Sequence, residues 1–182
     1  MMKSKTMVFA AFMLICLSIM NPLCGGQRVF AEEKKDYLKI GFRLMREEAL
    51  GNLAVGISDS AVNQQMGEAE KKSEPKVWAA DGYVHQSWYY PAKGIELDMN
   101  NRPEGKPVVG RMTITAPCDL KTRRGIGIGS TVQDVKTAYA NELNPNFSPE
   151  SSSLLAGTVY GGILFSLQDG AVSRIFIGAA AE

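Results

Sequence analysis

Two stretches of this sequence share one pattern. Val55–Met66 reads VGISDSAVNQQM and Ile126–Tyr139 reads IGIGSTVQDVKTAY. Each has a glycine, a short polar cap, and then an amphipathic turn with a valine (Val62 or Val135) at the same step. Each runs on into a strand pair: GIELDM and VVGRMTIT from Gly94, GILFSLQDGAVSRIFI from Gly162. Val109–Ile114 and Val172–Ile177 also match in pattern, with an arginine in the same place. Glycine, helix, Gly-Ile strand and Val-x-Arg strand recurring in one order are the mark of a duplicated unit. The expected class is α+β, a tandem repeat of helix plus antiparallel strands with the helices packed on one face of the sheet.

The first 31 residues read as an export signal. Lys3 and Lys5 precede an apolar run, Met7–Met20, that is too short to span a bilayer. Pro22 and Gly25–Gly26 break the run, and Val29-Phe30-Ala31 is a small-residue cleavage pattern, so the mature chain is expected to start at Glu32. The alternative is lipidation at Cys24, which Asn21-Pro22-Leu23 before it fits poorly. The organisation read from this is 1–31 signal, 32–117 first repeat with an N-terminal strand, 118–124 linker and 125–182 second repeat. The signal holds three basic residues and no acids, so 17 basic and 19 acidic residues remain, a net charge of −2. That balance argues against a general nucleic-acid binder and gives no broad pull toward anionic membranes.

Of three cysteines only Cys118 lies beyond the signal, so stability must come from the core and not from an internal disulfide. Cys118, beside Pro117, is expected to be a small buried residue; a free exported thiol pairing between chains is the other reading. His85 is the only histidine, so no cysteine–histidine metal spacing exists and neither metal nor cofactor is expected.

Tyr37–Leu44 alternates, with Leu38, Ile40, Phe42 and Leu44 on one side, and reads as a half-buried strand; a helix continuing through Arg46–Leu50 is the rival. Ser58 is the expected cap of a helix at Asp59–Met66 that Gly67 ends, and Glu68–Lys76 is expected to be a charged loop. Val77–Ala79, Tyr83–Tyr90, Ile95–Met99 and Val108–Thr115 read as strands, the first two joined by an Asp81-Gly82 hairpin. Ser130 or Thr131 caps a second helix, Val132–Ala140. Leu154–Tyr160, Ile163–Gln168 and Ala171–Gly178 follow as strands, with turns at Gly161-Gly162 and Asp169-Gly170.

Gly56-Ile-Ser-x-x-x-Val with Gly67, then Trp78, Asp81-Gly82, Trp88-Tyr89-Tyr90 and Gly94-Ile, resembles the SmpA/OmlA (BamE-like) small envelope proteins. The duplicated arrangement is similar to that of the β-lactamase inhibitor protein. The resemblance covers roughly Leu50–Thr115 and Gly125–Gly178. It implies helices on one sheet face, an exported location and a role in binding other proteins. The chain departs from it in the weak lipidation motif and in having no pair of cysteines for an intradomain disulfide.

Arg124-Gly-Ile-Gly-Ile-Gly-Ser-Thr suggests an anion cradle, but it is neither G-x-G-x-x-G nor a P-loop, and a turn leading into the repeat explains Gly125–Gly129 better. No G-x-S-x-G elbow accompanies His85. Paired carboxylates can act on glycosides, and Glu96 and Asp98 share one strand face about 7 Å apart by strand rise, but alternating charges on an exposed strand usually mean a wetted sheet face. The stronger surface is aromatic and charged. Strand alternation places Tyr83, His85, Tyr89, Glu96, Asp98 and Arg111 on an open sheet face. Trp78 and Trp88 are expected in the core. Tyrosine and arginine are common interface anchors. The function expected is an exported, non-enzymatic module that binds another protein through this face, in envelope assembly or inhibition. The alternatives are a binder of a small ligand or cell-wall fragment, and a hydrolase using Glu96 and Asp98.

Overall fold

The computed structural model describes residues 35–101, 104–147 and 153–181. The stretch expected to be an export signal, its expected cleavage pattern, Cys16 and Cys24 lie outside the described residues, as does part of the Asn144–Ser153 stretch expected to be a loop. The described chain has three helices, α1 (Tyr37–Glu47), α2 (Asp59–Met66) and α3 (Val132–Ala138). It has eight strands: β1 (Lys71–Lys72), β2 (Lys76–Val77), β3 (Val84–Tyr90), β4 (Ile95–Asn101), β5 (Val108–Thr115), β6 (Ser153–Thr158), β7 (Gly161–Gln168) and β8 (Ala171–Gly178). The strands form one antiparallel sheet in the order β1-β3-β4-β5-β8-β7-β6, with β2 also paired to β3. The fold is α+β.

Register explains the core. One row of side chains runs Tyr90, Ile95, Ile114, Ile175, Phe165, Leu154 across the sheet, and a second runs Trp88, Leu97, Met112, Ile177, Ile163, Ala156. These rows join Leu44 of α1, Val62 of α2 and Val135 of α3 in one hydrophobic cluster, so all three helices pack on the same sheet face. Each fully buried aliphatic or aromatic side chain stabilises by about 1.5–3 kcal/mol.

The two capped helices form for reasons visible in their first turns. The Ser58 hydroxyl accepts from the Ala61 amide, and Gly67 ends α2 at φ 78°. Thr131 and Asp134 cap α3 reciprocally. The start of α2 is then tied to β5 and the start of α3 to β8 in the same way. Gly56 donates to the Val109 carbonyl and Val109 returns to Ile57; Gly129 donates to the Val172 carbonyl and Val172 returns to Ser130. Asp59 donates to Pro107, and Val132 to Gly170.

Four local expectations are corrected. Tyr37–Leu44 is helix, not strand. Its alternating residues are two i,i+4 stripes: Ile40 and Leu44 face the core, while Leu38 and Phe42 remain 44% exposed. Asp36 caps α1 through the Lys39 amide. Gly161 and Gly162 are not a turn but the buried start of β7, and Val159–Tyr160 makes the turn. Gly161 lies where α1 crosses β6 and β7, and a Cβ at Gly41 would run into its carbonyl oxygen; a Cβ at Gly162, at φ 153°, would run into the Ala156 carbonyl oxygen of β6. The charged segment Glu68–Lys76 is not all loop, since β1 and β2 pair with the outer edge of β3 while their side chains stay in water. Trp78 is not core, as the site below describes. At Asp169 and Gly170 the expected turn has φ 52° and 78°, the left-handed pair of a type I′ hairpin.

An ion-pair cluster closes the helical layer. Arg124 lies 2.9 Å from Glu48 Oε1 and 3.0 Å from Glu142 Oε2, and it donates to the Ala138 carbonyl. Arg43 of α1 reaches Glu142 at 3.1 Å. Burial alone would raise the Glu142 carboxyl, but the donors from Arg124 and Arg43 outweigh it and hold the carboxyl below its ordinary 4.5. A group whose pKa is lower folded than unfolded stabilises above the unfolded value and loses that contribution as pH falls through the folded one. Stability measured by urea titration is therefore expected to drop as pH falls below 4.5, and Glu142→Gln is expected to flatten part of that drop. An unchanged acid slope in Glu142→Gln would count against the assignment.

Candidate functional site

The face away from the helices carries its own rows. Tyr89, Glu96, Thr113, Phe176, Leu164 and Leu155 stand side by side across the sheet; Ser87, Asp98 and Arg111 form the next row, and Thr115, Arg174, Ser166 and Ser153 another. The site residues expected from sequence fall into two groups on this face.

The first group is built around His85. Its Nδ1 lies 2.8 Å from Asp98 Oδ2 on β4, and its Nε2 lies 3.0 Å from Asp81 Oδ2 in the β2–β3 turn. Arg111 Nε on β5 lies 3.3 Å from the same Asp98 oxygen. Trp78 folds over the group. Its ring is parallel to the imidazole within 9° at 3.9 Å between centroids, and the Arg111 guanidinium carbon is 4.5 Å from the indole. The turn is held by two backbone bonds, Trp78 to the Tyr83 carbonyl and Gly82 to the Trp78 carbonyl. Asp81 sits below the ordinary carboxylate value, mainly because the Tyr83 amide donates to it, with His85 adding to the effect.

Two exposures are therefore corrected. His85 is 5% exposed and Asp98 is 8% exposed, so neither lies open on the sheet face. The cause is Trp78, expected in the core, which instead covers them from the turn. Sequence reading also missed Asp81, although Asp81-Gly82 marked the turn that delivers it. Tyr83 is partly buried at the start of this arrangement, where its amide donates to Asp81 and its carbonyl accepts from Trp78.

The second group surrounds a concavity of about 480 Å³ lined by Tyr89, Pro91, Gly94, Ile95, Glu96, Thr113, Thr115, Ala116 and Arg174. Tyr89 is partly exposed, and Glu96 and Arg174 are exposed. Arg174 was missed as a site residue, although it occupies the place in Val172–Ile177 that Arg111 holds in Val109–Ile114. The guanidinium carbon of Arg174 is 5.8 Å from the Phe176 ring centre.

No protein-family model, curated protein or solved structure matches this chain.

The glycine run is not an open cradle. Gly125 donates to the Thr122 carbonyl, Ile126 to Thr122 Oγ1, Gly127 to Ser130 Oγ and Gly129 to the Val172 carbonyl. Its amides hold the turn into α3. Among the described residues no cluster of three or more His, Cys, Asp or Glu could hold a metal ion, and no helix is long and apolar enough to cross a membrane. Cys118 is buried and free, and burial pushes its thiol above the ordinary value.

Proposed function

We propose that this chain is an exported binding module that recognises another protein through the sheet face left open by its helices. The observation that carries the reading is the concavity between Tyr89, Glu96, Thr113 and Arg174, set on a rigid four-strand platform whose other face is filled by core. Tyrosine and arginine, both present around this depression, are among the anchors from which interfaces draw most of their energy. The charge and shape fit a partner loop that brings a carboxylate to Arg174 and an apolar side chain to Tyr89. The same proposal takes the two halves as copies of one unit, supported by the matched backbone bonds at Gly56 and Gly129. It includes kinship with the SmpA/OmlA (BamE-like) proteins and an arrangement like the β-lactamase inhibitor protein. Export rests on Lys3, Lys5, the Met7–Met20 run and Val29-Phe30-Ala31, with lipidation at Cys24 as the alternative.

A second reading has one observation behind it: about 480 Å³ lies within the range of small-ligand sites, so a wall fragment is the alternative occupant. The hydrolase reading has less support, because Asp98 is engaged by His85 and Arg111 and does not stand free beside Glu96.

The test is site-specific photocrosslinking from Tyr89 and, as a control on the helical face, from Lys136 of α3. A protein crosslinked from Tyr89 alone is then purified and its affinity measured. Tyr89→Ala and Arg174→Ala are each expected to weaken binding about 30-fold, the effect of losing an anchor worth roughly 2 kcal/mol, while Glu96→Gln retains it. Equal crosslinking from both positions, or affinities unmoved by both alanines, would overturn the reading. Saturable binding of a wall fragment to the Tyr89 concavity would favour the second.

A further inference from the structure

We propose that His85 is the proton-operated pin of a latch that holds the Trp78–Gly82 turn down over Asp98 and Arg111. Both imidazole nitrogens face carboxylate oxygens, Nδ1 toward Asp98 at 2.8 Å and Nε2 toward Asp81 at 3.0 Å. Both contacts are hydrogen bonds only when both nitrogens carry hydrogen, because neutral imidazole has a single N–H. The two carboxylates come from different parts of the fold. Asp98 is buried on β4 and shares its oxygen with Arg111 of β5, so it cannot move away. Asp81 belongs to the turn that carries Trp78, and its side chain is 34% exposed, so it can swing into water.

Loss of one proton therefore has a directed result. The remaining N–H stays with buried Asp98. The Nε2 lone pair then confronts the Asp81 carboxylate, and that contact becomes repulsive. The turn has few other ties on its outer side: Val77 is 61% exposed, and Ala79 and Ala80 are exposed. Its other ties include the stack of Trp78 on His85 and Arg111, the two backbone bonds, the Tyr83 amide's bond to Asp81 Oδ1 within the turn, and the pairing of Val77 with Val84 at its base. The other groups around the imidazole are Asn100 on β4 and Lys76 on β2, each opposite His85 in register. Lys76 and Arg111 oppose a charge on His85, and Asp81 and Asp98 favour it. Opening the turn would uncover Asp98, Arg111 and the Trp78 ring beside the Tyr89 concavity. The value of the latch as a control on partner binding rests on the proposed sheet-face reading; the motion itself does not.

The test uses the full chain labelled with 5-fluorotryptophan, which reports two sites, Trp78 and Trp88. Trp78→Phe assigns the fluorine lines. The H2O/D2O isotope shift of each line, which rises with solvent exposure, is followed from about pH 5 to 8, the interval in which histidine side chains change charge. The Trp78 shift is expected to rise at least twofold across the titration while the buried Trp88 shift stays constant. His85→Gln is expected to remove the pH dependence. Asp81→Asn supplies a second arm on an exposed turn: its amide can donate to a neutral Nε2, so Trp78 is expected to stay covered at pH 8. A Trp78 shift that does not change with pH, or that still rises in Asp81→Asn, would overturn the latch. Because the readout needs no partner, failure of the latch is distinct from failure of the binding reading, which would appear as unchanged affinity in Tyr89→Ala.

Discussion

Arg124→Met is expected to lower the free energy of unfolding by about 3–5 kcal/mol, the cost of breaking a buried ion pair by removing one partner. Arg124 is the hub of the cluster behind α3. Glu48, with a side chain only 4% exposed, accepts from its Nε at 2.9 Å. Glu142, 11% exposed, accepts from both terminal nitrogens at 3.0 and 3.3 Å. The guanidinium also lies 4.5 Å over the Tyr139 ring. Methionine keeps much of the stem that packs there, so the loss isolates the charge. With the guanidinium gone, two carboxylates remain in a poorly solvated place, and Arg43 answers only one of them. The same argument sets the control. Adding Glu48→Gln and Glu142→Gln removes the stranded charges and is expected to restore part of the loss. Urea denaturation of Arg124→Met and of the triple variant checks this. A triple variant no more stable than Arg124→Met would mean that lost packing, not stranded charge, carries the effect.

Gly41→Ala is the second large effect, and its sign runs against helix propensity. Alanine in an exposed helix interior gains about 1 kcal/mol over glycine. At Gly41 the added methyl would collide with the Gly161 carbonyl oxygen and come 3.3 Å from the Thr158 nitrogen, both parts of the sheet backbone. Backbone cannot rotate aside, so α1 must lift from β6 and β7. A net loss of about 3 kcal/mol is expected, at the upper end for overpacking. Gly161→Ala is the matched comparison. Its methyl would meet Met45 and Phe42 side chains at 3.0 and 3.2 Å, which can shift, so the loss is expected to be smaller. Denaturation midpoints of the two variants decide it; equal losses, or a gain in Gly41→Ala, would show that the crossing is looser than described.

Much of the fold was legible because its signals are local. Ser58 and Thr131 announce the helices they cap, and β5 and β8 begin and end where alternation places them. What was not legible depends on residues distant in sequence. Tyr37–Leu44 alternates as a strand would, and only the crossing of α1 over β7 assigns Ile40 and Leu44 inward and Leu38 and Phe42 outward. Gly161-Gly162 looks like a turn because nothing nearby reveals that another glycine, Gly41, lies against it. At the candidate site, Tyr89, Glu96, Asp98 and Arg111 were placed correctly on one face by period two. Alternation could not tell that Trp78 would fold back from a turn and bury His85 and Asp98 beneath it. The arginine shared by Val109–Ile114 and Val172–Ile177 was the unused signal for Arg174.

The crossing of α1 over β6 and β7 also sets an order of events. Gly41 and Gly161 are separated by 120 residues, so the earliest of the described helices has its seat among the latest of the described strands. As the chain emerges, α2 and β1 through β5 hold local partners, yet the edge of β5 waits for β8 and the apolar side of α1 waits for the β6–β7 hairpin. Contacts this distant in sequence slow folding and leave apolar surface uncovered in the interim. Until β6, β7 and β8 are present, the sheet is unfinished and α1 is unemployed, and a chaperone that holds emerging chains would find its natural grip on Ile40 and Leu44.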